Sequence, residues 1–218
     1  MKFVADVIRH LAPERAAAKA SSTPEQTHRP LTVVALIESA LGLSNLRSIC
    51  STGHSLGVLS GIAFAAEDFA EDLSLSPLPN RREMLFARSA IVTAGQAHKI
   101  GSIIDMVSTS VGGDDWMRKL EDESHEGRAL GFTGEQCIHP LQIGAIQSAF
   151  GPSQKELEWA LRVIDGDAYA QEQRRGVWRL DGEMVDAPVV KRAQALLSRA
   201  KMCGDEPRAS SSEKDTVS

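Results

Sequence analysis

Cysteine is scarce and poorly placed for cross-linking. Cys50, Cys137 and Cys203 form an odd, scattered set without a CxxC pair, which argues against a disulfide framework and for reduced thiols in an intracellular compartment. No apolar run approaches the ~20 residues of a membrane span. Residues 1–9 lack the uncharged core and cleavage site of a secretory signal. Charge of one sign is not in excess. Lys and Arg number 24 against 29 Asp and Glu, a net charge of -5 with both signs interspersed, so neither nucleic acid nor an anionic membrane is an expected partner. Also missing are GxGxxG, a Walker loop, GxSxG and any pair of histidines at zinc spacing, which sets aside nucleotide-dependent and serine-nucleophile chemistry. At 218 residues the chain can fill one sizeable core or form part of a larger single-domain architecture.

What is present is organised around Val33-Val34-Ala35-Leu36-Ile37-Glu38-Ser39-Ala40-Leu41-Gly42. A Val/Ile-rich run reads as a strand buried on both faces. It ends in a carboxylate, and a helical pattern follows. Ile62-Ala63-Phe64-Ala65-Ala66-Glu67-Asp68-Phe69 repeats the arrangement. Carboxylates ending neighbouring parallel strands, about 4.8 Å apart, repel unless a cation or a shared proton joins them. A divalent metal is the leading reading, and Mg²⁺ suits it because that ion accepts as few as one or two carboxylates beside water and substrate oxygens.

In chain order, Phe3, Val4, Val7, Ile8 and Leu11 recur at helical spacing, and residues 13–30 read as a helix end and a polar loop. Strands are expected at 31–37, 62–66, 103–107 and 136–140. Helices are expected at 41–50, 81–99 and 114–130, the last with Trp116 and Leu120 inward and Gly131 as its C-cap, and another after Pro140. Residues 51–60 and 68–80 read as loops. Ser153 and Glu156 form a capping box for a long helix, residues 176–183 alternate as a hairpin, and 186–200 form a final helix. The expected domains are 1–151, a helical extension at 152–203 and a disordered polar tail at 204–218. Alternating β and α elements imply a parallel sheet with right-handed crossovers, four units being half of an eight-stranded barrel, with chemistry at the C-terminal rim.

Leu36-Ile37-Glu38-Ser39-Ala40-Leu41-Gly42, Phe64-Ala65-Ala66-Glu67-Asp68-Phe69, Ala87-Arg88-Ser89, Ile104-Asp105, the run from Gly131 through Gly134-Glu135-Gln136-Cys137-Ile138-His139-Pro140, and Gly182-Glu183-Met184-Val185-Asp186-Ala187-Pro188 together resemble, in order, the HpcH/HpaI aldolase / citrate lyase family, in its citrate lyase beta-like branch. Each motif alone is weak; the ordered set is specific. The resemblance implies an α/β fold, a partial TIM (β/α)8 barrel of about four C-terminal units with a C-terminal helical extension. It implies Mg²⁺ held by Glu38 and Asp68, with Glu38 also against the substrate. It further implies two partners for this chemistry, a CoA thioester and a small keto acid. Asp186 would lie on a segment that reaches a neighbouring subunit's site in a trimer-like homo-oligomer and act there in acid–base chemistry. The implied activity is carbon–carbon cleavage or condensation on a short 3-hydroxy-acyl-CoA such as citramalyl-CoA or malyl-CoA, giving acetyl-CoA and a keto acid, in a mitochondrial or cytoplasmic setting.

Two departures stand against the family pattern. Ala65 or Ala66 occupies a position where the family usually has Gly, and the front half of the barrel, with its substrate-gripping arginine, has no counterpart in this sequence. The alternative expectation is therefore a truncated, non-catalytic homologue or an incomplete gene model that acts only as an interaction partner.

Plainer roles compete at each residue. Glu38 and Asp68 could be strand-end caps or salt-bridge partners, and Asp186 a simple N-cap. Glu67, pointing opposite to Asp68 if both lie in a strand, reads as a supporting or surface group, with metal contact as the lesser alternative. Asp105 reads equally as a structural acid or a substrate-orienting one. His139 reads as a structural group and Arg88 as the partner of a rim acid. Trp116, Trp159 and Trp178 would pack helices onto the barrel, and Arg174-Arg175 form a solvated turn or a CoA phosphate contact.

Overall fold

Four strands pair in chain order into one parallel sheet among the described residues: β1 (Val33–Ile37), β2 (Leu59–Phe64), β3 (Ser102–Asp105) and β4 (Gly134–Glu135). Ile37 stands opposite Phe64, Ile62 opposite Ile103, and Asp105 opposite Glu135. The computed structural model describes residues 1–16, 30–76, 78, 80–109, 111–173 and 176–203. The expected tail at 204–218, the Arg174-Arg175 pair and most of the polar loop lie outside them. By contact, the chain divides into two units, Met1–Ile146 and Gln147–Ser218.

In the first unit, α1 (Lys2–Leu11) precedes the sheet. β1 leads to α2 (Ala40–Ser44) and α3 (Leu46–Ser55), and β2 to α4 (Ala66–Asp72) and α5 (Leu85–Ala97). β3 leads to α6 (Trp116–Leu130), and β4 to a 3-10 turn and α7 (Ile143–Phe150), within which the first unit ends at Ile146. Helices cover one face of the sheet, where Ile37, Ile62, Phe64 and Ile103 are fully buried. α5 sits so close that a Cβ on Gly95 would come within 2.6 Å of the Ile103 side chain. No helix among the described residues is long and apolar enough to cross a membrane.

Several boundaries differ from expectation for identifiable reasons. The helix expected at 41–50 breaks at Asn45 and then runs on to Ser55. The run 68–80, rich in acids and proline, is helical at its start. α4 buries Ala66 and Phe69 and carries Glu67 and Asp68 in its first turn, where acids complement the helix dipole. Residues 136–140 are not a strand. His139 caps the 3-10 turn Pro140–Gln142, accepting from Leu141 N at 3.2 Å, while the Gln142 side chain accepts from Ile138 and His139. That capping box draws the chain out of the sheet after Glu135.

β1 also departs from a strand buried on both faces. Val34 is 45% and Leu36 54% exposed, while Ile37 is fully buried. β1 is an edge strand, and its face opposite the helices has no layer over it among the described residues. In α1 only Ala5 is buried, and Phe3 and Leu11 of its apolar stripe are exposed.

The second unit packs α8 (Gln154–Glu172) and α9 (Ala187–Cys203) with the hairpin β5 (Trp178–Leu180) and β6 (Glu183–Val185). Ser153 and Glu156 make the expected reciprocal cap. Asp181 and Gly182 turn the hairpin with φ of 53° and 84°, the backbone of a two-residue type I′ turn. The core is Ala160, Val163, Val185 and Ala193, with Trp159 and Trp178 against it. These two tryptophans therefore serve this unit's own core. Trp178 lies flat on Gly166, where any Cβ would collide with its ring.

Candidate metal centre

The rim at the C-terminal ends of β1 and β2 collects acids for a local reason. The last rung between the strands is the bond from Ala65 N to Ile37 O, at 3.1 Å. Glu38 is the next residue on one side, and α4 opens at Ala66 on the other. Glu38 and Asp68 are both exposed, and neither side chain makes a hydrogen bond or ion pair among the described residues. Glu67 lies beside Asp68 in a helical turn, not in a strand, so their side chains diverge by about 100° per residue rather than pointing to opposite faces. Glu67 approaches Arg81 at 3.9 Å.

The direction in which Asp68 looks follows from its neighbour one turn on. Asp72 accepts a hydrogen bond from Ala40 N at 2.7 Å. Residues i and i+4 share a helix face, so the Asp68/Asp72 face of α4 is turned toward the chain just after Glu38. The donor set fits Mg²⁺: hard carboxylate oxygens, open to solvent and not committed to other cations. Among the described residues no group of three His, Cys, Asp or Glu side chains could hold a metal, so water and substrate oxygens would complete the shell.

Asp105 is not at this rim's open side. Its carboxylate is buried and receives Arg88 Nε at 3.2 Å and Arg88 Nη2 at 2.6 Å, while Met106 N donates to it at 2.9 Å. Arg88 is itself 1% exposed, reaches Glu126 at 2.8 Å and lies 5.9 Å from the centre of the Phe132 ring. Burial pushes the Asp105 carboxyl up and Arg88 pulls it down, while the paired acids hold the guanidinium charged. Asp105 and Arg88 are thus a structural pair between β3 and α5.

Glu135, at the end of β4, was not among the candidate residues. Ser124 of α6 donates to it at 2.6 Å. Burial pushes its carboxyl up to about 7; the Ser124 hydrogen bond and Arg88 oppose that, and Asp105 and Glu123 add to it. The ordinary value is 4.5, so between about 4.5 and about 7 the folded chain keeps a proton that the unfolded chain has lost. Stability from this group is full below pH 4.5 and falls as pH rises through about 7. Glu135→Gln should therefore unfold at higher urea than the unsubstituted chain at pH 8, by about 1–2 kcal/mol after allowing for solvent screening, and match it at pH 4. Equal differences at both pH values would contradict this.

His139 is the cap described above, in agreement with a structural role. Asp186 follows β6 and precedes α9, is half-buried and accepts from Val189 N at 3.3 Å. That is the geometry of an N-cap. A surface cavity of about 370 Å³ is lined by Asn80, Arg81, Lys119, Asp122, Glu123 and Glu126; neither Glu38 nor Asp68 borders it.

Comparison with known proteins agrees with this arrangement of strands and helices. Residues 6–140 match the HpcH/HpaI aldolase/citrate lyase family. The mitochondrial citramalyl-CoA lyase of Mus musculus is 30% identical over 177 residues, 79% of this chain and 51% of that protein. The citrate lyase subunit beta of Haemophilus influenzae is 36% identical over 169 residues, 78% of this chain and 56% of that one. The chain thus spans about half the length of these relatives. Among solved structures, CitE of Mycobacterium tuberculosis in complex with magnesium, acetoacetate and coenzyme A superposes with a TM-score of 0.65 at 30% identity, covering 81% of this chain and 63% of that one. A citrate lyase from Burkholderia xenovorans gives 0.71 over 94% of this chain and 59% of that one, at 21% identity, which speaks for the fold alone. The α/β fold is that of a partial TIM barrel, and the chain belongs to the HpcH/HpaI aldolase/citrate lyase family.

Proposed function

We propose that this chain carries the metal-binding part of a Mg²⁺-dependent carbon–carbon lyase acting on a short 3-hydroxy-acyl-CoA such as citramalyl-CoA or malyl-CoA. The observation that carries the proposal is the pair Glu38 and Asp68: both side chains are exposed and unpartnered among the described residues, Glu38 directly after β1 and Asp68 in the first turn of the helix that follows the adjacent parallel strand β2. Glu38 and Asp68 would hold the ion, and Glu38 would also border the substrate. When bound, Mg²⁺ supplies Lewis acidity toward the carboxylate and oxygen substituent of a keto or hydroxy acid. Cleavage removes the proton of the 3-hydroxyl, breaks the C2–C3 bond and leaves the electron pair on C2, delocalised into the thioester carbonyl as an enolate, and a proton delivered to C2 completes acetyl-CoA. The products are acetyl-CoA and a keto acid. An intracellular setting, mitochondrial or cytoplasmic, goes with this reading.

Asp186, contributed by a second copy in a trimer-like assembly, would exchange those protons. Its cap and its chemistry separate by substitution. Asp186→Asn keeps an acceptor for Val189 N and removes the titrating group, so kcat should fall by about 10²–10⁴-fold with little change in Tm. Asp186→Ala should lower both. Equal activity of the Asn variant would assign Asp186 to the cap alone.

The overall test is cleavage of malyl-CoA and citramalyl-CoA by the purified chain with Mg²⁺ and with chelator. Release of acetyl-CoA only with Mg²⁺ supports the lyase reading; none under either condition overturns it for this chain. A second reading rests on a different observation, the exposed Val34 and Leu36 on the free edge strand β1. Open apolar sheet surface of that kind seeks a partner, and under this reading the chain binds other subunits without catalysis. A folded chain that neither turns over substrate nor binds Mg²⁺ would favour it.

A further inference from the structure

We propose that Asp72 is a positioning residue that fixes the separation of the Glu38 and Asp68 carboxylates; the proposal rests on the metal reading of that pair. Asp72 Oδ2 receives the Ala40 amide across 32 positions of chain at 2.7 Å. This bond ties the last residue of α4 to the turn that begins immediately after Glu38. Ser39 already caps that turn by accepting from Gly42 N at 3.1 Å. The Ala40 N–H is therefore a separate orphan donor, satisfied from another element.

Local preference does not explain an acid at position 72. It ends α4, follows Glu71, and has no basic residue in that last turn. The negative end of the helix dipole disfavours a carboxylate there. A residue that breaks a local rule is accounted for by what it does at longer range. Here the longer-range partner is the segment bearing Glu38, and the helix it anchors bears Asp68 on the same face. With Asp72 engaged, α4 cannot slide along or rotate away from the β1 end without breaking a charge-assisted hydrogen bond, so the segments that bear Glu38 and Asp68 would keep their relative placement before any ion arrives.

The experiment titrates Mg²⁺ into the full chain by calorimetry, in parallel with thermal unfolding and amide exchange at Ala40. Asp72→Ala should weaken Mg²⁺ binding by about 10–100-fold, the usual cost of losing a group that orients a metal ligand, and should speed exchange at Ala40. Asp72→Asn keeps an acceptor oxygen and should restore most of the affinity and the protection. Ala40→Pro tests the other end of the same bond. It deletes the donor at the first helical position, where proline is tolerated, after Ser39 with φ −152° and ψ 159°, which suit a residue before proline. It should weaken Mg²⁺ binding as Asp72→Ala does. Unchanged Mg²⁺ affinity in Asp72→Ala or in Ala40→Pro, with only Tm lowered, overturns the proposal, as does an Asn variant as weak as the Ala one. Absence of Mg²⁺ binding by the unsubstituted chain overturns the metal reading itself, and this proposal with it.

Discussion

Under the proposed lyase reading, Glu38→Gln and Asp68→Asn are each expected to lower Mg²⁺-dependent carbon–carbon cleavage of a 3-hydroxy-acyl-CoA by about three orders of magnitude or more. The estimate follows from chemistry: a Lewis acid at a developing oxyanion supplies several kcal/mol, and each 1.36 kcal/mol is tenfold in rate. Both side chains are exposed and without partners among the described residues, so removing their charge leaves no buried group stranded. Tm should barely move, because surface changes away from packed or paired features usually stay within about ±0.5 kcal/mol. The check is steady-state kinetics beside thermal unfolding for each variant. A loss of rate that follows a loss of Tm would make these acids structural, and an unchanged rate would remove them from the site.

The second large effect is on stability. Arg88→Met should destabilise the first unit by about 3–5 kcal/mol, the cost of leaving one member of a buried ion pair alone. Arg88 and Asp105 side chains are 2% and 3% exposed, and their bidentate contact places two hydrogen bonds where water cannot substitute. The contact to Glu126, whose side chain is 50% exposed, adds little. Urea unfolding should show the drop directly. Replacing both partners with apolar residues, Arg88→Met with Asp105→Leu, should recover much of it, since a packed apolar pair can match a buried ion pair. If Arg88→Met costs under 1 kcal/mol, the pair is not what joins α5 to β3.

The parts of this fold that were legible in the sequence are those written in local chemistry. Ser153 with Glu156, Gly131 closing α6 at φ 104°, and the Asp181-Gly182 turn each state their role within four residues. The parallel sheet followed from the alternation of apolar runs with amphipathic ones, and so did the placing of Glu38 and of the Glu67-Asp68 pair near strand ends. α4 was not legible as a helix because its acids and the nearby prolines resemble loop composition. Ala66, Phe69 and Ala70 at helical spacing were the available signal, and reading them would have put Asp68 and Asp72 on one face. The depth of Arg88 depends on Asp105, 17 positions away, and no local pattern reports that. The exposure of Val34 and Leu36 depends on what covers an edge strand, which a run of valine and leucine does not encode. The raised carboxyl of Glu135 depends likewise on burial against Ser124 of α6.

The central claim is that Glu38 and Asp68 share one hard cation. Titrating Mg²⁺ into the intact chain by calorimetry, and repeating it with Glu38→Gln and with Asp68→Asn, tests it most directly. One Mg²⁺ per chain is expected, lost or greatly weakened in both variants to a similar degree. Binding that survives in either variant, or no binding in the unsubstituted chain, would contradict it.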